Sequence, residues 1–271
     1  DFLNIPISMK NILVPIGSND NAVGNLQYAI DLAYHWDAYV YVFSAFRELS
    51  KVGGLAKVNA IIKEDCENRL QEVLDKVDKK GVTVIDHPVK GSVLETVVRF
   101  NKHVSIDLMV LSPKSNSIRE EVYLGKTTGN LVKNTNIPVL IVPEGDVFKG
   151  PETILMAFKD GNFKHKSMLE PLKKFMVHFG SEIKLLHVST PESTQQMQRV
   201  SNKLQKLQTS YTKSENATTF QGVLEHFQSH NPDMLCVVRR KQGFFKKLWG
   251  KNTVLKKEFH TSKPLLVLSA Q

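Results

Sequence analysis

Two short clusters late in the first half of the chain carry the clearest potential for anion chemistry. Leu111-Ser112-Pro113-Lys114-Ser115 is followed by nine residues and then by Gly125-Lys126-Thr127-Thr128. The second cluster stands where a helix is predicted to begin. Free backbone N–H groups and the positive end of a helix dipole would there join the Lys126 ammonium and the Thr127 hydroxyl. That set suits a phosphate. Gly125-Lys126-Thr127 also has the look of the end of a P-loop, but the pattern G-x4-G-K-[ST] needs glycine at position 120, where Glu120 stands. A P-loop follows its strand directly, whereas this cluster lies more than a dozen residues beyond the strand ending near position 112. A P-loop NTPase is therefore excluded.

A second concentration of charge lies near the other end. Between Arg239 and Lys257 stand eight basic residues (Arg239, Arg240, Lys241, Lys246, Lys247, Lys251, Lys256 and Lys257) with no acidic residue among them. Phe244, Phe245, Leu248 and Trp249 are interleaved. Such a run reads as a surface for an anionic partner (nucleic acid, a phosphorylated ligand or an acidic membrane face), with aromatics available to stack or bury. A loop whose aromatics pack on its own domain while its lysines are solvated has the same composition. The formal net charge of +9 follows the same division: residues 1–150 hold 17 Lys/Arg against 18 Asp/Glu, and residues 151–271 hold 19 against 9.

The remaining reactive side chains form no catalytic or metal-binding pattern. None of the nine histidines pairs with another at ligand spacing beside a carboxylate cluster. His87, in the loop after the third predicted strand, and His187, ending a later one, are the two placed to line a cleft, and a structural role suits each better. No Ser-His-Asp, nucleophile-elbow or paired-carboxylate signature stands out. Cys66 and Cys236 are far apart, one in a polar helical stretch and one in an apolar strand, so no disulfide is expected and a cytoplasmic setting follows. No apolar run reaches the roughly 18–20 residues of a membrane span. Asp1 to Ser8 has no basic n-region, and Met9-Lys10 before an apolar strand reads as a natural start.

The elements that must position the phosphate-suited residues alternate strand and helix. In the first half, strands are predicted at 11–15, 38–46, 82–87, 107–112 and 138–142, and helices at 20–36, 56–80, 92–104 and 126–135, with Gly81 closing the second helix. The strands are almost continuously apolar, as strands buried on both faces of a parallel sheet must be. The same signals then return in the same order. Ile12-Leu13-Val14-Pro15 is matched by Ile154-Leu155-Met156-Ala157, Val93-Leu94-Glu95 by Val223-Leu224-Glu225, and Asp107-Leu108-Met109-Val110 by Asp233-Met234-Leu235-Cys236. Ile137-Pro138-Val139-Leu140 is matched by Lys263-Pro264-Leu265-Leu266. The chain is thus read as two copies of one α/β domain, residues 9–146 and 150–271, each a doubly wound parallel five-stranded sheet. Residues 189–218, rich in Ser, Thr and Gln, are expected to form a polar helix matching 56–80, with Met197, Val200, Leu204 and Leu207 on one face.

The opening strand from Lys10 to Pro15, the Asp107-Leu108-Met109-Val110 strand and the closing Ile137-Pro138-Val139-Leu140-Ile141-Val142 resemble the universal stress protein family, twice over across residues 9–271. The resemblance implies an adenine nucleotide alpha hydrolase-like, Rossmann-like fold. ATP-binding members carry G-x2-G-x9-G-[ST] after strand four, which falls here on Ser112, Ser115, Gly125 and Lys126, with Thr127 next. The spacing is intact, but two glycines have become serines and lysine holds the hydroxyl position. Each serine adds a Cβ where backbone must approach a phosphate closely. The family's acidic residue after the apolar-Pro-Thr segment falls on Gly17, just past Pro15, so the carboxylate is missing. In the second copy the loop positions are Val238, Lys241, Lys251 and Asn252, with no glycine left.

These departures argue against nucleotide binding of the family type, more strongly in the second copy, and leave ATP the only cofactor to test. The resemblance implies a ligand-binding, dimerising stress-response module without established catalysis. It further implies pairing of the two copies through strands 138–142 and 264–268 as an internal pseudo-dimer, and association of two chains. Two rivals remain: a weak ATPase using residues 112–128, which would need a magnesium-holding carboxylate, and a protein binding nucleic acid or another anion through residues 239–257.

Overall fold

A computed structural model describes residues 8–17, 21–49, 56–113, 125–161, 163, 166–191, 193–195, 199–217, 219–239 and 263–269. The first half runs β1 (Asn11–Ile16), α1 (Ala22–Trp36), β2 (Tyr39–Phe46), α2 (Ala56–Leu74), β3 (Val84–Lys90), α3 (Val93–Val104), β4 (Leu108–Leu111), α4 (Gly125–Asn134) and β5 (Val139–Ile141). The described residues of the second half follow the same order up to its fourth strand, with β6 (Thr153–Phe158), α5 (Glu170–Phe179), β7 (Glu182–Ser189), α6 (Asn202–Gln205), β8 (Ser210–Glu215), α7 (Thr219–His230) and β9 (Met234–Arg239), and end in β10 (Leu265–Ser269). Local chemistry sets several ends. Ser92 and Glu95 form a reciprocal capping box that starts α3, and Gly180 takes the left-handed conformation that stops α5.

The two five-stranded sheets are joined edge to edge into one ten-stranded sheet, in the order β3-β2-β1-β4-β5-β10-β9-β6-β7-β8, through the strands whose pairing the resemblance implied. Each half is internally parallel, and the seam is antiparallel, with Leu140 opposite Leu266 and Val139 opposite Val267. The reason lies in the edges. Val139-Leu140-Ile141 and Leu265-Leu266-Val267 are fully apolar, so leaving either unpaired would expose a bare ladder of N–H and C=O groups. The strands that do end the sheet, β3 and β8, carry Asp86, Pro88 and Lys90, and Lys213 and Glu215, the charges and proline that guard an edge.

Both faces of the sheet are covered, and each core runs across both halves. On one face α1 meets α5: Trp36 and Phe175 are buried with ring centroids 4.9 Å apart, and Phe179 lies 5.6 Å from Trp36. His35 and His178 face each other at 6.4 Å on the rim of this cluster, where burial and then the neighbouring His35 lower the His178 pKa. On the opposite face Val97, Leu131 and Val132 share a core with Val223, Val237 and Val267.

The repeat is also visible in polar chemistry. Asp107 Oδ2 accepts from the backbone N–H of Lys10 (2.9 Å) and Asn11 (3.1 Å) at the start of β1. Asp233 Oδ2 accepts from the N–H of Glu152 (3.0 Å) and Thr153 (2.9 Å) at the start of β6. Asp107 has one partner more: the Lys174 ammonium on α5 donates to its Oδ1 at 3.1 Å, tying the halves together.

Two local expectations are corrected. Helix α2 ends at Leu74, and Gly81 is not its cap; Lys80 and Gly81, both at positive φ, turn the chain into β3. The polar helix expected in 189–218 is reduced to the four residues of α6, and β8 takes up the later part. Only residues 190–209 separate β7 from β8, against residues 47–83 between β2 and β3, and this shorter span buries Leu204 and Leu207 as its apolar contribution. Met197 lies outside the described residues.

Candidate functional site

In a doubly wound sheet a ligand sits beyond the C-terminal ends of the strands, where strand order reverses. In the first half that point is the mouth between β1 and β4, neighbours in the sheet whose connections run to opposite sides. Pro15 lies inside β1, opposite Phe43 of β2, and Gly17 follows the strand. Ser112 follows β4, and its carbonyl accepts from the Thr128 hydroxyl of α4 at 3.1 Å. That bond ties the first turn of α4 to the end of β4. The backbone of Gly125 and Lys126 opens the helix and Thr127 is exposed beside them. The structure therefore brings together Pro15, Gly17, Ser112, Gly125, Lys126 and Thr127 at one end of the sheet; Ser115 lies outside the described residues. Beneath the mouth Asn25 is buried on α1, and its amide donates to the Val110 carbonyl at 3.3 Å.

At Gly17 an added Cβ would meet no atom within 4 Å, and its φ is not in the left-handed region, so nothing among the described residues demands glycine there. The corresponding loop of the second half is closed by its own chain. A Cβ on Gly161 would stand 2.7 Å from the Arg199 carbonyl oxygen and 2.9 Å from the Val200 Cα, and the Ser201 N–H donates to the Gly161 carbonyl at 3.0 Å. Phe158 and Phe163 are buried beside it. Because backbone blocks position 161, Gly161→Ala is expected to destabilise the protein by about 1–3 kcal/mol, as overpacking does. Gly17→Ala should change stability by less than about 0.5 kcal/mol; urea unfolding of the two variants compares them.

His187 belongs to that closed mouth. It is fully buried, stacks on Phe158 at 4.9 Å, and bonds through Nδ1 to the Tyr211 hydroxyl (2.9 Å) and through Nε2 to the Lys159 carbonyl (3.1 Å). Both ring nitrogens are committed to structure. His87 is exposed on the edge strand β3. Among the described residues no group of three His, Cys, Asp or Glu could hold a metal ion, and no helix is long and apolar enough to cross a membrane.

The basic run is described only at its first residue. Arg239 points into the first half, where its guanidinium binds the Lys133 and Thr135 carbonyls. Burial lowers its pKa. Arg240, Lys246, Lys247 and Lys251 lie outside the described residues. Three features escaped sequence reading: the Arg239 contacts, the sealing of Gly161 and the Asp107–Lys174 tie. Each joins segments far apart in sequence, and only the matched Asp107 and Asp233 left a trace in the repeat.

A doubly wound, parallel-dominated α/β sheet of this order defines a Rossmann-like fold. The comparisons with known proteins narrow this. The sequence model of the universal stress protein family matches residues 9–143. A universal stress protein of Methanocaldococcus jannaschii is 26% identical over 138 residues, covering 49% of this chain and 81% of its own length. The crystal structure of a universal stress protein from Archaeoglobus fulgidus DSM 4304 superposes over 97% of both chains with a TM-score of 0.72 at 17% identity, which shows the same fold across both halves. A solved universal stress protein in complex with cAMP is 20% identical and covers 51% of this chain and 99% of its own, with a TM-score of 0.42. The chain belongs to the universal stress protein family, its matched domain being residues 9–143.

Proposed function

We propose that this chain is a ligand-binding stress-response module that takes one phosphate-bearing ligand, at the mouth of its first half. The second half serves as a built-in partner, so that the β5–β10 seam is an internal pseudo-dimer contact. The observation that supports this reading is the tie between the two ends of the loop, the Thr128 hydroxyl donating to the Ser112 carbonyl at 3.1 Å, which sets the first turn of α4 at the end of β4; in the second half the loop after β6 is packed by the Arg199 and Val200 backbone at Gly161. The donors fit the ligand. The free N–H groups of the first turn of α4 favour an anion, and Lys126 and Thr127 add a cation and a hydroxyl. With no carboxylate at Gly17 and serine at 112 and 115, binding without hydrolysis is the better reading, and ATP and AMP are the probes. Two free, buried cysteines, Cys66 and Cys236, support a reducing, cytoplasmic setting.

Calorimetric titration of ATP and AMP into the full chain, with and without Mg²⁺, tests the proposal. Binding weaker than about 10 μM, or less than about 7 kcal/mol, is expected, with little dependence on Mg²⁺. Lys126→Ala should weaken it about tenfold, the loss of one charge-assisted contact. Absence of binding by either nucleotide at millimolar concentration would overturn the reading.

A further inference from the structure

Arg239 closes β9, and its guanidinium reaches across the seam into the first half. Nη1 donates to the Lys133 carbonyl. Nη2 donates to the Thr135 carbonyl at 2.9 Å, to Asn136 Oδ1 at 3.5 Å and to Ser269 Oγ at 2.9 Å. Lys133 is in the last turn of α4, and Thr135 and Asn136 directly follow it. These are carbonyls that a helix leaves without intrahelical partners, at the negative end of its dipole, where a cation is stabilising. A side chain from one half therefore caps a helix of the other.

That helix is the one whose first turn forms the mouth. At its start Thr128 is tied to the Ser112 carbonyl. Along its length Leu131 and Val132 are buried against the sheet. At its end Arg239 bridges its carbonyls to Ser269 on β10. Helix α4 is thus a strut hitched to β4 at one end and to the second half at the other.

We propose that Arg239 is a positioning residue for the first-half ligand mouth, holding the C-terminal end of α4 so that its first turn stands at the right place beside Ser112. Ten residues at about 1.5 Å rise make a lever of about 15 Å. A tilt of about 4° at the held end displaces the first turn by about 1 Å, twice the width of the 2.7–3.2 Å window in which an N–H···O bond is made. Arginine suits the task because its planar fork reaches several acceptors at once; a lysine ammonium is a single point charge on a flexible stem. The second half thereby takes part in ligand binding without touching the ligand. This inference rests on the ligand reading above, and its test separates the two.

The experiment uses the full chain with Arg239→Gln, Arg239→Lys and Ser269→Ala, and has two readouts: amide hydrogen exchange over residues 125–136 without ligand, and ATP affinity by calorimetry. Arg239→Gln is expected to speed exchange along α4 about tenfold and to weaken ATP binding about fivefold or more, with Arg239→Lys intermediate. Ser269→Ala, which removes one of four acceptors and leaves the fold intact, should show the same changes at reduced size. A lowered thermal midpoint with exchange over α4 and ATP affinity both unchanged would make Arg239 merely structural and overturn the proposal. If the unaltered protein binds no ATP while Arg239→Gln still loosens α4, the ligand reading falls; the clamp stands, but its role at the mouth falls with the ligand.

Discussion

Trp36→Ala is expected to lower the free energy of unfolding by about 3–5 kcal/mol, the usual cost of truncating a fully packed large aromatic. Trp36 is 2% exposed at the end of α1 and touches Phe175 and Phe179 of α5. The cavity would therefore open between the halves, and relaxation of one half alone cannot fill it. Urea unfolding followed by circular dichroism should show a lower midpoint in a single transition. Two separate transitions, with only one displaced, would mean that the halves fold independently.

The second large effect lies at the sheet seam. Leu140 and Leu266 are both fully buried and stand opposite each other in the antiparallel pairing of β5 and β10. Leu140→Ala and Leu266→Ala are each expected to cost about 2–5 kcal/mol. Together they remove a large share of the 5–15 kcal/mol by which a folded domain is ordinarily stable. Because the residues are cross-strand partners sharing one core, the double variant should depart from the sum of the singles by about 0.5–3 kcal/mol. Additivity within about 0.3 kcal/mol would show that the seam is not a packed interface.

Much of this architecture was legible before the structure. The near-continuous apolar runs gave strands buried on both faces, and the matched Asp107 and Asp233 marked equivalent strand starts, each carboxylate receiving two backbone N–H groups. The joining of the halves came from the family resemblance, which implied pairing of strands 138–142 and 264–268, and not from the periodicity. A short apolar strand such as Val139-Leu140-Ile141 reads the same whether it ends a sheet or continues one, and the pairing with β10 is decided by segments more than a hundred residues apart. The region 189–218 was misread for a related reason. Leu204 and Leu207 have helical spacing, but too little chain separates β7 from β8 to carry a helix like α2.

The site was half legible. The spacing from Ser112 to Gly125 named the two ends of the candidate loop, and the hydrogen bond from Thr128 to the Ser112 carbonyl joins them in the structure. The substitutions of glycine by serine and the missing carboxylate at Gly17 were visible too. The packing of the loop after β6 was not, because Gly161 is required by the approach of the Arg199 and Val200 backbone, which no local pattern announces. Arg239 read as the first residue of a basic run; its partners are the end of α4 and Ser269.

The central claim is that one continuous sheet carries a single ligand mouth, in the first half. Amide hydrogen exchange of the full chain with and without saturating ATP tests it most directly. The account predicts ligand-dependent protection at Ser112 and at residues 125–128, and no change at 159–161 and 199–201, where protection is already high without ligand. Ligand-dependent protection of residues 159–161 and 199–201, alone or alongside the first mouth, would contradict it.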